Sequence, residues 1–146
     1  LSKTEKRLLE LALTLIKNTD ILFLEEPFLY LDRIGKEKIK RILLELKKKY
    51  EKTIFIVDKN IDNLYSICDH FVIFKNNQVL ISNTRNIIFQ DLDFLKENDI
   101  ELPSLIEFSY LAKKKGQNVP QFRDIKDLIK EVYRSVKETK DEISGD

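Results

Sequence analysis

Two adjacent carboxylates, Glu25 and Glu26, follow directly on the apolar run Ile21-Leu22-Phe23-Leu24. Four apolar residues without alternation suit a strand buried on both faces, as in a parallel sheet. Pro27 then ends the strand, because it has no N–H to give a ladder. Ligands of open α/β sheets bind just beyond the carboxyl ends of strands. A carboxylate pair placed there can hold a divalent cation and polarise a water. A second run, Thr53-Ile54-Phe55-Ile56-Val57, is strong in β-branched residues and leads into Asp58-Lys59-Asn60. It would bring an ammonium group to a strand end. Taken without its neighbours, the first segment is equally a core strand followed by two solvated acids.

The flanking elements must position these groups. Ser2-Lys3-Thr4-Glu5 has the S-x-x-E spacing of a capping box, and apolar residues then recur at helical spacing from Leu8 to Ile16. A helix start of this kind carries free N–H donors and about half a positive charge, which suits an anion. Asn18-Thr19-Asp20 reads as the turn into the first strand. From Asp32, an N-cap residue, a helix lined by Ile39, Ile42, Leu43 and Leu46 runs to Tyr50, its Lys47–Lys49 end solvated. A short helix over Ile61–Cys68 follows. A hairpin of His70–Lys75 and Gln78–Ser82 then turns at Asn76-Asn77, where Asn tolerates positive φ. Further helices are expected over Thr84–Phe89, Asp91–Asn98 and Ser104–Lys115, with Thr84 and Ser104 as caps and Gly116 as a stop. A last helix covers Ile125–Lys137, and the polar residues 138–146 fray.

Bulk properties set limits. The chain has 146 residues, 42% hydrophobic and 35% charged, with net charge +1. That is one soluble, globular domain or part of one. The charge balance leaves no electrostatic footprint for nucleic acid. The single Cys68 excludes an internal disulfide framework. No apolar run approaches the about 20 residues of a membrane span. The only glycines are Gly35, Gly116 and Gly145, and no G-x-x-x-x-G-K-[ST] loop is present to cradle a phosphate.

The stretch Asp20–Asp32, DILFLEEPFLYLD, resembles the Walker B segment and D-loop of ATP-binding cassette (ABC) ATPases. Glu25 stands where that family has Asp, Glu26 matches its catalytic Glu, and Pro27, Leu31 and Asp32 also match. Phe28, Leu29 and Tyr30 replace the usual small residues. Leu1 to Glu5 resembles the LSGGQ signature, with Lys3 and Thr4 in place of its two glycines. Lys59 occupies the position of the switch His. Residues 100–116, IELPSLIEFSYLAKKKG, resemble the segment after the ATPase core in energy-coupling factor transporter ATPases, carried by Pro103, Glu107, Ala112 and Gly116.

The resemblance implies an α/β fold: a partial P-loop NTPase (ABC ATPase) domain with parallel strands, flanking helices, a hairpin and a C-terminal helical extension. Residues 1–90 would be the C-terminal part of the ATPase domain, 91–137 a helical C-terminal dimerisation or accessory region and 138–146 a flexible tail. The rest of the domain would lie upstream, and this portion alone would be inactive. ATP and Mg2+ are the implied cofactors. Glu26 would polarise the attacking water, Lys59 would meet the γ-phosphate and Glu25 would face Mg2+. Ser2, Lys3, Thr4, Glu5 and Asp32 would face the nucleotide of a second ATPase subunit. A transmembrane coupling subunit and a substrate-binding membrane subunit complete the implied complex, on the cytoplasmic face of the membrane, for uptake of a vitamin or metal ion. No nucleic acid is expected, and the long heptad insertions of chromosome-maintenance ABC ATPases are absent. The three replacements, Glu25, Lys3-Thr4 and Lys59, imply slow hydrolysis beside a better-preserved paralogue. The alternative is an inactive scaffold that keeps the fold as a pairing surface.

Overall fold

The computed structural model describes residues 1–117, 119, 120, 122 and 125–143, the last nine by backbone alone. They form two compact units, Leu1–Asp69 and His70–Asp146.

In the first unit, helix α1 (Lys3–Ile16) leads to strand β1 (Ile21–Glu25), helix α2 (Arg33–Lys49), strand β2 (Thr53–Val57) and helix α3 (Ile61–Tyr65). The two strands pair in parallel, from Ile21 opposite Thr53 to Glu25 opposite Val57, with α2 as the crossover. Backbone bonds from Thr53 N to Asp20 O (2.9 Å) and from Glu26 N to Val57 O (2.7 Å) extend the ladder at both ends. Asn18 makes the turn out of α1 with φ 49°. The apolar stripe of α2 buries Ile39, Leu43 and Leu46, at i, i+4 and i+7, in a core with Leu11, Leu22, Phe28, Leu31 and Leu64. The helix segment expected to reach Cys68 ends at Tyr65. Beyond it the N–H groups of Ile67 and Cys68 both turn back onto Leu64 O.

The expectation of strands buried on both faces is corrected. Leu22 is 1% exposed, whereas Phe23 beside it is 75% exposed. Ile21, Phe55 and Val57 share the open face, where the rings of Phe23 and Phe55 stack at 4.8 Å. The described residues therefore leave most of this side of the two strands open.

In the second unit, strands β3 (His70–Lys75) and β4 (Gln78–Thr84) form an antiparallel hairpin. Asn76 and Asn77 turn it with φ 52° and 60°, the double positive φ of a type I′ turn. The register shifts between Ile73 and Phe74. Helices α4 (Arg85–Ile88), α5 (Leu92–Glu97), α6 (Ser104–Lys114) and α7 (Ile125–Ile143) follow. Phe71, Ile88, Phe89, Leu95, Leu102, Ile106, Ala112 and Phe122 are its buried hydrophobic residues besides Pro103, with Phe71 and Phe89 edge to face at 5.4 Å.

Two caps differ from expectation. Thr84 holds the cap position of α4, but its side chain makes no capping bond. Ser104 is the first residue of α6, because Pro103 with φ −53° takes the cap position. Helix α7 also runs past Lys137 to Ile143, where Glu138, Lys140 and Glu142 are good helix formers. Residues 144–146 of the expected tail lie outside the described residues.

Candidate functional site

The parallel register of β1 and β2 brings the acids and the lysine to one place. Glu25 pairs with Val57, so Glu26 emerges beside the turn that carries Asp58 and Lys59. Lys59 Nζ lies 3.4 Å from Glu26 Oε1. The two side chains differ sharply in exposure, 93% for Lys59 and 27% for Glu26. The ammonium is thus open to solvent beside a largely sheltered carboxylate. Glu26 is held by its backbone: its N–H donates to Val57 O, and its C=O accepts from Leu29 N at 3.0 Å. Its φ is 42°, a left-handed conformation that costs a residue with a β-carbon about 1–3 kcal/mol. Strain of that size persists only where the surroundings over-determine it. Here Phe28, 1% exposed, anchors the loop in the core, and Leu31 N closes it onto Phe28 O. The bulky residue at position 28, which departs from the ABC pattern, is therefore a packing anchor.

Glu25 alternates to the open face with Phe23. It lines a cleft of ≈ 150 Å³ with Arg7, Glu10, Thr14 and Pro27, and Arg7 Nη1 is engaged with Glu10 Oε2 at 2.7 Å. Among the described residues no group of three or more acidic, His or Cys side chains is arranged to hold a metal. Mg2+ commonly takes one or two carboxylates and draws its other ligands from water and substrate phosphates. One carboxylate here fits an ion delivered with a nucleotide, and does not fit a resident, all-protein metal site.

The start of α1 is a complete capping box. Glu5 N donates to Ser2 Oγ at 3.2 Å, and Ser2 N donates to Glu5 Oε2 at 2.7 Å. The Ser2 backbone N–H foremost, and then the Ser2 hydroxyl, hold the Glu5 carboxyl below its usual pKa. Lys3 Nζ sits 5.3 Å from the centroid of the Tyr30 ring, itself at φ 61°. The ammonium therefore rests on the loop after β1. Thr4 turns the other way, toward Gly35 of α2: a β-carbon on Gly35 would meet Thr4 Oγ1 at 2.6 Å. Asp32 caps α2, its Oδ1 accepting from Gly35 N at 2.6 Å. Sequence reasoning missed the close approach at Gly35. Its signal was available: a glycine inside a helix costs about 1 kcal/mol relative to Ala, and wants a packing reason. Tyr30 was missed because a contact across elements leaves no mark in spacing, whereas the Arg7–Glu10 pair, at i,i+3 within α1, was there to be read.

The site can be compared with known proteins. An energy-coupling factor transporter ATP-binding protein, EcfA2, of Mycoplasma mobile is 32% identical over 132 residues, 90% of this chain. One of Malacoplasma penetrans, EcfA, is 30% identical over 82% of the chain. A Pyrococcus horikoshii protein named as an ABC transporter ATP-binding protein is 30% identical over 80%. The chain is a homologue of ABC transporter ATP-binding proteins. It spans less than half the length of these relatives, 42%, 41% and 41% respectively. No protein-family model matches it. The mixed α/β architecture, with its small parallel sheet and hairpin, is consistent with ABC ATPase homology. Among the described residues of this ABC homologue, no helix is long and apolar enough to cross a membrane.

Proposed function

We propose that the chain is part of the ATP-binding subunit of an energy-coupling factor transporter. It would bind ATP with Mg2+ and couple slow hydrolysis to uptake of a vitamin or metal ion. The observation that carries this reading is the meeting of Glu26 and Lys59 at the ends of two parallel strands, in a homologue of ABC ATP-binding proteins. The fold would be one part of a P-loop NTPase domain, residues 91–137 serving the pairing of two subunits.

The residues divide the work by chemistry. Glu26 is the carboxylate to orient and polarise a water, because its backbone is pinned and its side chain half sheltered. Glu25 is the carboxylate to face Mg2+, which supplies charge neutralisation of the phosphates. Lys59 donates to the terminal phosphate. At the start of α1, Ser2 and Glu5 close the capping box and order the turn, so the N–H donors toward the nucleotide of a second subunit are those of Lys3 and Thr4, with the Lys3 side chain adding a cation. Thr4 serves that surface indirectly, by setting α1 against α2 at Gly35. Asp32 sits at the subunit boundary and orders the start of α2. Phosphoryl transfer depends mainly on positioning and electrostatics. Glu25 is one methylene longer than the family's Asp, and a displacement of about 1 Å can cost roughly 10²-fold. Slow turnover beside a better-preserved paralogue follows. The partners are that second ATPase subunit, a transmembrane coupling subunit and a substrate-binding membrane subunit, at the cytoplasmic face of the membrane.

The experiment is Mg-ATP binding and turnover by the intact subunit, with and without Glu26→Gln. Binding with a turnover that Glu26→Gln lowers at least tenfold supports the reading. Binding with unchanged turnover removes Glu26 from the mechanism. Undetectable binding favours a scaffold, a reading to which the side chains of Lys3 and Thr4 on the signature helix lend weight.

A further inference from the structure

The ion pair at the strand ends has a consequence for regulation. A carboxylate that orients water needs its lone pairs, and Lys59 occupies one oxygen of Glu26 at 3.4 Å. The pair is asymmetric. The Glu26 backbone is fixed by its bonds with Val57 O and Leu29 N beside buried Phe28, and its side chain is largely sheltered, 27% exposed. Lys59 can leave, because its side chain is 93% exposed and its stem is flexible. An exposed pair of this kind is weak and readily exchanged. A nucleoside triphosphate carries several negative charges and offers the ammonium stronger charge-assisted bonds than one carboxylate does.

We infer that Lys59 is a positioning residue that acts as an electrostatic latch on Glu26: it neutralises the carboxylate in the nucleotide-free subunit and releases it when a terminal phosphate draws the ammonium away. The inference rests on the reading of a nucleotide site given above. It adds a switch to that site: the base is freed only when a γ-phosphate is present, so a diphosphate leaves the latch closed. A histidine in this place would donate from a fixed ring, whereas lysine's long stem reaches both anions in turn.

The test is equilibrium binding of the Mg2+ complex of β,γ-imido-ATP, which is not hydrolysed, to the intact subunit in four forms. These are the unsubstituted protein, Glu26→Gln, Lys59→Gln and the double variant, with Mg-ADP measured in parallel. Glu26→Gln spares Lys59 the loss of its partner. It is therefore expected to tighten triphosphate binding by about two- to fivefold more with Lys59 present than with Lys59→Gln, the range an exposed ion pair supplies. Lys59→Arg keeps that coupling, and Mg-ADP shows none. Equal tightening in both backgrounds, with nucleotide bound, overturns the latch and leaves the nucleotide site standing. Undetectable binding of either nucleotide to the unsubstituted protein overturns the site and the latch together.

Discussion

Thr4 and Gly35 touch so closely that neither position is independent: a β-carbon on Gly35 would lie 2.6 Å from Thr4 Oγ1 and 3.1 Å from Asp32 Oδ1. The start of α1 and the start of α2 are thus locked at one point. The side chain that fills the place of a signature glycine meets a glycine on the facing helix.

Gly35→Ala is therefore expected to destabilise the chain, although alanine is the better helix former by about 1 kcal/mol. Overpacking costs about 1–3 kcal/mol, and Thr4 is stiff at χ1, so a net loss of about 1 kcal/mol is expected. Urea unfolding measures it. Adding Thr4→Ala removes the hydroxyl and recovers most of the loss, because contacting residues do not behave additively. Purely additive losses would show that the two helices do not meet there.

Acid should undo the first turn of α1. The Glu5 carboxyl is held below its usual pKa by the backbone N–H and hydroxyl of Ser2. A group whose folded pKa is depressed contributes stability above its unfolded value, 4.5 here, and loses it as pH falls through the folded value. Glu5→Ala should lower the urea midpoint at pH 7, and its gap from the unsubstituted protein should narrow as the pH drops below 4.5. A gap that stays constant through acid would deny Glu5 its bond to Ser2.

The open face of the parallel sheet should make residues 1–146 associate or bind hydrophobic dyes on their own. Contiguous exposed apolar surface behaves this way. Phe23→Ser with Phe55→Ser should reduce dye binding and self-association by more than half. It should change stability little, because an exposed stacked pair contributes only about 0.5–1.5 kcal/mol beyond its area. Sedimentation velocity and dye fluorescence read the outcome, and unchanged association in the double variant would mean that another surface is responsible.

Local chemistry was legible in the residues alone. The capping box at Ser2 and Glu5, the Asp32 cap, the turn at Asn76-Asn77 and the Ile39–Leu43–Leu46 stripe all follow from interactions within a few residues of chain. The Leu22 strand and its carboxylate ending were readable for the same reason, as were the motifs that resemble ABC ATPases. Caps at Thr84 and Ser104 were misread because whether a side chain bonds depends on the backbone before it. At α6, Pro103 had already taken the place.

What tertiary structure decided is everything that joins distant segments. An apolar run states that a strand wants burial, yet not how many layers surround it, so Phe23 and Phe55 emerge on an open face. Register is set by pairing across the crossover of α2, and only that pairing puts Lys59 within 3.4 Å of Glu26. Likewise the glycine at 35 acquires its meaning from a threonine thirty-one positions earlier, through the packing of two helices that no local pattern encodes.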